Sequence, residues 1–123
     1  MRRVMMMVAA MAMMVSLFAV VAYAAEIQGT DNSENLHESD RNDKIAGHRG
    51  DDYIWAQDYS DDTDKAKGNR NDDWIYVDDD DYRDTANGGK GEDHCYGDTQ
   101  TPPNPSDKFV ECEWVNDVPV EDE

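Results

Sequence analysis

The stretch GGKGEDHCY, Gly88 to Tyr96, joins a glycine-rich turn to a very short strand. Its first, second and fourth residues are glycines, which permit the positive φ angles and close backbone approaches of a tight loop. Asp93, the sixth residue, closes the loop with an oxygen ligand. The next three residues alternate as a β-strand does, so the eighth, Cys95, points inward between two outward neighbours.

The same pattern recurs along the chain in seven nine-residue units. They are GTDNSENLH (29–37), ESDRNDKIA (38–46), GHRGDDYIW (47–55), YSDDTDKAK (59–67), GNRNDDWIY (68–76), DDDYRDTAN (79–87) and GGKGEDHCY (88–96). Every sixth position is an acid: Glu34, Asp43, Asp52, Asp64, Asp73, Asp84 and Asp93. Chance could supply carboxylates in so acidic a chain, but the joint register of glycine, acid and apolar residue indicates a structural repeat.

The units also alternate in how closely they follow the pattern. The odd ones begin with a glycine, whereas the even ones do not, and two of the even units follow insertions. The glycine-led units start 18, 21 and 20 residues apart, a period typical of a solenoid whose turn takes two units. We therefore expect odd units to stack on one edge and even units on the other. The inward columns would be Leu36, Ile54, Ile75 and Cys95 on one side, and Ile45, Ala66 and Ala86 on the other.

Composition alone would predict disorder for the part after Ala24. Leu, Ile, Val and Phe supply only 11 of its 99 residues, and 9 basic against 29 acidic residues give a net charge of −20. Either this part is an acidic, disordered, ion-buffering chain, or something besides apolar burial holds it together. Multivalent cations are the obvious agent, because hard cations take carboxylate and carbonyl oxygens and cancel self-repulsion. The same charge excludes nucleic acid as a partner.

The first 24 residues have a different character. Arg2 and Arg3 precede an uncharged apolar run, which ends in the small-x-small pattern Ala22-Tyr23-Ala24. We interpret residues 1–24 as a cleaved secretory signal peptide and expect a secreted, extracellular protein. The alternative is an uncleaved membrane anchor, since the run is longer than a usual signal.

The units resemble the nonapeptide GGxGxDxUx of RTX, or haemolysin-type, calcium-binding proteins. GGKGEDHCY matches that pattern fully and GHRGDDYIW nearly; GNRNDDWIY has asparagine at the second and fourth positions, a residue that tolerates positive φ. The resemblance implies an all-β fold, a short parallel β-roll over residues 25–96 with Ca²⁺ between its turns. It also implies that sixth-position carboxylates of successive turns hold each ion. The implied pairs are Glu34 with Asp52, Asp52 with Asp73, and Asp73 with Asp93 on the odd edge, and Asp43 with Asp64 and Asp64 with Asp84 on the even edge.

The tail, residues 97–123, contains a Pro-rich loop and the apolar stretch FVECEWV, which could form one strand over the open end of the roll. Cys95 and Cys112 are the chain's two cysteines, and in an exported protein we expect a disulfide between them. It would tether the tail as a cap.

Aromatic residues cluster at the outward seventh and ninth positions of the odd units: Tyr53, Trp55, Trp74, Tyr76 and Tyr96. They would stabilise a thin roll by stacking across turns, or form a stripe that binds a glycan or an extracellular protein. The three histidines share no spacing with a nucleophile or acid that suggests catalysis, so we expect no enzymatic activity. The sequence thus predicts a calcium-binding protein that folds on binding Ca²⁺, with an adhesive or matrix module as the alternative.

Overall fold

The computed structural model describes residues 24–39, 41–57, 62–80, 83–99 and 106–121. This part of the chain is all β, a parallel β-solenoid of about four turns. Its strands are β1 (Glu26–Gln28), β2 (Asn35–His37), β3 (Lys44–Ala46), β4 (Tyr53–Trp55), β5 (Lys65–Arg70), β6 (Trp74–Val77), β7 (Thr85–Lys90), β8 (His94–Gly97), β9 (Lys108–Val110), β10 (Trp114–Val115) and β11 (Val118–Pro119). The described ranges hold no helix long and apolar enough to cross a membrane. The predicted signal peptide lies outside them, apart from its last residue.

Two sheets form the walls of the solenoid, and they separate the even units from the odd ones. The even sheet has the order β1-β3-β5-β7-β9, and the odd sheet has the order β11-β10-β8-β6-β4-β2. Every pairing is parallel except the one between β10 and β11. The predicted two-unit turn is therefore confirmed.

The core consists of the two predicted columns, extended at both ends. In the odd sheet the register aligns Leu36, Ile54, Ile75, Cys95 and Val115; in the even sheet it aligns Ile27, Ile45, Ala66, Ala86 and Phe109. Alternation along each strand sends these residues between the sheets. Because the even column contains two alanines, the core is thin, and buried carboxylates occupy its two edges.

The tail does more than cap the roll with one strand. Lys108–Val110 continues the even sheet beside β7, and Trp114–Val115 continues the odd sheet beside β8, so the tail adds a further turn. The antiparallel strand β11 then ends the odd sheet. Asn116 holds this end through its side chain, which accepts a hydrogen bond from the Gly97 N–H and donates one to the Gly97 carbonyl, both at 3.0 Å.

The predicted disulfide is present. It joins Cys95 to Cys112, whose Cα atoms are 6.1 Å apart. Cys95 lies fully buried in the odd column, and Cys112 lies in the short loop between β9 and β10. The added turn is thus covalently fixed to the last glycine-led turn.

Candidate metal centre

The sixth-position acids of the odd units form a continuous ladder. The backbone N–H of Glu34 donates to Asp52 Oδ1 at 2.9 Å, that of Asp52 to Asp73 Oδ1 at 2.9 Å, and that of Asp73 to Asp93 Oδ1 at 2.8 Å. The structure therefore brings together all three pairs expected on this edge. Each contact joins the carboxylate of one turn to the backbone of the turn before it, so one oxygen of each aspartate is used in fixing the loop.

The even edge repeats this arrangement. Backbone N–H groups of Asp43 and Asp64 donate to the Oδ1 atoms of Asp64 and Asp84, at 2.6 and 2.7 Å. The N–H of Ala25 donates to Asp43 at 2.8 Å, which starts the ladder before the first predicted unit. Both expected even pairs are therefore adjacent as well.

Two further ladder residues lie in the tail and were missed by the sequence analysis. Asp107 accepts from the N–H of Asp84 at 3.1 Å, and Glu113 accepts from the N–H of Asp93 at 2.8 Å. The signal that could have found them is an acid two residues before an inward apolar side chain: Asp107 before Phe109, and Glu113 before Val115.

Four aspartates in the middle turns, here called the central rungs of the ladder, differ from the others in their second carboxylate oxygen. In Asp52, Asp64, Asp73 and Asp93 the Oδ2 atom is buried and has no hydrogen-bond partner among the described residues. All four residues are 0% exposed. An ionised oxygen in that position is costly unless a donor or a cation meets it. These four atoms are the strongest structural sign that the ladder can bind a cation.

Glycines make room for these carboxylates on the odd edge. A Cβ atom built on Gly47, Gly68 or Gly88 would lie closer than 3.0 Å to the Oδ2 atom of the aspartate five positions later. Glycine at the first position therefore lets the carboxylate pack directly against the backbone of its own loop, and any other residue would displace the free oxygen.

The first turn differs because hydroxyl side chains satisfy its acids. Glu34 accepts from the Thr30 N–H at 2.6 Å and from the Thr30 hydroxyl at 2.9 Å. Asp43 accepts from the N–H and hydroxyl of Ser39, at 2.5 and 3.0 Å. Among the predicted ligands, these two carboxylates are thus already supplied with donors by their own loops.

Burial also changes the acidity of the central rungs. It raises the pKa of Asp73 to about 7, an effect opposed by the hydrogen bond from Asp52 and reinforced by the neighbouring charge of Asp93. Burial likewise raises the pKa of Asp93 to about 6, and it raises that of Asp52. Without a cation, burial therefore makes the ionised form of these carboxyls less favourable than it is in water.

A second group of acids lies on the even edge. Ligand oxygens of Glu38, Asp62 and Asp64 all lie within 4.8 Å of one another, and Asp62 and Asp64 are buried. This group could hold a metal ion. Glu38 and Asp62 occupy first and fourth positions, so they were not among the predicted ligands, and only Asp64 was.

The outward face of the odd sheet carries two aromatic stacks rather than scattered rings. One runs through Tyr53, Trp74, His94 and Trp114, with centroids 5.0–5.5 Å apart, and the other through His37, Trp55, Tyr76 and Tyr96, with centroids 4.3–6.1 Å apart. All interplanar angles are 10° or less. The rings cover one another's faces and present mainly their edges, which favours the stabilising interpretation. Sequence reasoning missed His37, His94 and Trp114 as members.

No protein-family model, curated protein or solved structure matches the chain.

Proposed function

We propose that this chain is an exported calcium-binding β-roll protein of the RTX type, which folds when Ca²⁺ binds between its turns. The observation that carries the proposal is the row of buried Oδ2 atoms without donors among the described residues at Asp52, Asp73 and Asp93, each packed against a glycine whose replacement would displace it. This arrangement recurs at the repeat period, as a ladder of ions would require.

Calcium is the metal that the donor set favours. The available ligands are carboxylate oxygens and, in the glycine-led loops, backbone carbonyls, which suit hard cations. The candidate rungs include no thiolate or imidazole, the ligands that favour zinc or copper. Mg²⁺ demands near-ideal octahedral geometry and retains its waters, so a row of loops with carbonyl and carboxylate oxygens suits the larger, more adaptable Ca²⁺ better.

Ion binding and folding would be one process. The apolar columns are thin, and the ladder places ionisable carboxyls in buried positions one turn apart, so folding without cations either protonates them or buries like charges. A bound ion removes this cost, and its binding free energy adds directly to the stability of the roll.

The odd-edge positions Asp52, Asp73 and Asp93 are the primary ligands in this proposal. On the even edge, the group of Glu38, Asp62 and Asp64 supplies three carboxylates without glycines, and Asp84 continues the ladder. Glu34 and Asp43 are the weaker ligands, because Thr30 and Ser39 already donate to them.

Export is part of the proposal. The disulfide between Cys95 and Cys112 is consistent with an oxidising, extracellular location. The signal peptide over residues 1–24 stays a prediction from the sequence.

A calcium titration of the chain from residue 25, followed by far-UV circular dichroism and by calorimetry, tests the proposal. We expect a cooperative gain of β signal that saturates with Ca²⁺, whereas Mg²⁺ produces a much weaker response. A spectrum that does not change at millimolar calcium would contradict it, whether the chain is then a coil or already folded.

Adhesion to a glycan or matrix protein remains the second candidate. It is supported by the continuous aromatic face, in which Tyr53 is 39% exposed. It is weakened by the stacking, because glycan recognition uses ring faces and these are covered. Substitution of Tyr53 or Trp55 that abolishes partner binding while leaving calcium affinity intact would favour it.

A further inference from the structure

The basic residues of this acidic protein are gathered on one side of the roll. Of the nine that follow residue 24, the exposed Lys44, Lys65, Lys67 and Lys108 lie on strands of the even sheet, and Arg49, Arg70 and Lys90 follow at the third positions of successive odd units. The net charge of the whole chain is −18, so this side is a local exception.

A groove of about 570 Å³ runs along this side. It exists because the chain turns at the second residue of each odd unit, where His48, Asn69 and Gly89 have φ of 81°, 82° and 99°. Strands β5 and β7 continue around this corner, so Lys67, which precedes it, and Arg70 and Lys90, which follow it, all line the groove.

The centre of the groove is electrostatically unbalanced. Lys67, Arg70 and Lys90 have no ion-pair partner among the described residues, whereas Arg49 pairs with Asp31 at 3.6 Å. Arg70 and Lys90 are direct partners in the register of β5 and β7. Neighbouring strands are about 4.8 Å apart, and like charges opposite each other destabilise a sheet. An anion between them would turn this repulsion into attraction.

Acidic residues limit the length of that anion. Asp31 lines one end of the groove and Glu111 the other, so the positive stretch spans only about three turns. A long polyanion such as nucleic acid would meet negative charge at both ends. The volume lies within the range of about 300–1,000 Å³ that small-molecule sites occupy.

We propose that this groove is a binding site for a compact multivalent oxyanion, a small polycarboxylate or a phosphate-type ligand. Arg70 supplies the planar fork that pairs with carboxylate or phosphate, and Lys67 and Lys90 supply point charges around it. The residues of this site are separate from the carboxylates of the ladder, and the proposal does not depend on whether a metal binds there.

Two probes distinguish the sources of the ligand: propane-1,2,3-tricarboxylate for polycarboxylates and sulfate for phosphate-type anions. Each is titrated into the folded protein, with chloride as the ionic-strength control and free calcium held constant with an electrode. Backbone amide chemical shifts are the readout. We expect saturable shifts at residues 67–70 and 89–90 with at least one probe.

The variant Arg70→Gln/Lys90→Gln should weaken binding by about tenfold or more, since it removes two of the three cations that would make charge-assisted hydrogen bonds to the anion. The matched control Lys44→Gln/Lys108→Gln makes the same change in net charge on the same sheet, outside the groove, and should alter affinity by less than about twofold.

Equal weakening in both double variants, or an absence of saturable shifts with either probe, would overturn the proposal. A response to one probe alone assigns the ligand to that class. Circular dichroism of each variant confirms that it is folded. The calcium titration is a separate measurement, so a failed anion titration leaves the calcium proposal standing. Conversely, if the chain folds without calcium, anion binding can still be measured in buffer that contains a chelator.

Discussion

Replacing Asp73 with asparagine should have opposite effects on stability with and without calcium. The carboxamide keeps the shape of the side chain, and its Oδ1 atom can still accept the N–H of Asp52. What it removes is the buried charge. At about pH 8, a pKa of about 7 in place of 3.8 corresponds to a cost of roughly 4 kcal/mol for ionised Asp73 in the ion-free fold.

The substitution removes that cost but leaves a buried N–H donor, which offsets about 1–3 kcal/mol of the gain. We therefore expect Asp73→Asn to stabilise the ion-free protein by about 2 kcal/mol. In calcium the sign reverses, because Asp73 is paired with both Asp52 and Asp93 and two predicted ions lose a ligand. At a calcium concentration of about 100 times Kd, each ion contributes about 2.7 kcal/mol, so a loss of about 3–5 kcal/mol is expected.

Urea unfolding followed by tryptophan fluorescence measures the calcium-loaded form. If the ion-free chain is unfolded, folding induced by trimethylamine oxide in chelator brings it into the measurable range. Asp72→Asn is the matched control, since Asp72 is an exposed neighbour with the same charge. A stability change of the same sign in chelator and in calcium would refute the assignment of Asp73 as a metal ligand.

Four further results are expected. The folded chain retains the Asp73 proton up to about pH 7, whereas the unfolded chain releases it near 3.8, so the stability of the ion-free fold should fall as pH rises from about 4 to about 7. Calcium affinity should instead weaken below about pH 7. Osmolyte-induced folding measures the stability and calorimetry measures the affinity at a series of pH values, and a flat profile in each would be the contrary result. Gly68→Ala should lower calcium affinity and destabilise the loaded roll by about 1–3 kcal/mol, because its Cβ atom would collide with the Asp73 carboxylate and displace the free oxygen. Calorimetry measures the affinity, and an unchanged affinity would count against a metal at that oxygen. Reduction of the Cys95–Cys112 disulfide should cost about 3 kcal/mol, measured by urea unfolding with and without reductant, and no shift of the midpoint would show that the tail docks without it. Trp74→Ala should cost at least about 1–3 kcal/mol, since two stacked pairs are lost; thermal unfolding measures it, and wild-type stability would argue against the stacks as supports.

The nine-residue register made much of the fold predictable. An acid at the sixth position and an apolar residue at the eighth repeat closely enough to align Leu36 with Ile54 and Ile75, and the structure pairs these residues. The nine-residue pattern did not predict the turn formed by the tail, because both of its loops have changed length. Asp107 follows Asp84 by 23 residues, across a Pro-rich insertion, and only two residues separate Val110 from Glu113. A pattern read at a fixed period does not detect a turn whose loops have changed length.

The sequence by itself determined the chain's class: an all-β solenoid with glycine-led turns, inward apolar columns and a carboxylate at every rung, because these depend on local conformation and spacing. Only the tertiary structure decided which carboxylates lack a donor. Glu34 and Asp93 occupy equivalent positions in their units, yet Thr30 supplies donors to the first, while the second keeps a buried oxygen without a donor among the described residues. The gathering of cations into a groove was likewise hidden, since Lys67, Arg70 and Lys90 become neighbours only when the turns stack. These properties arise from contacts between turns about 20 residues apart.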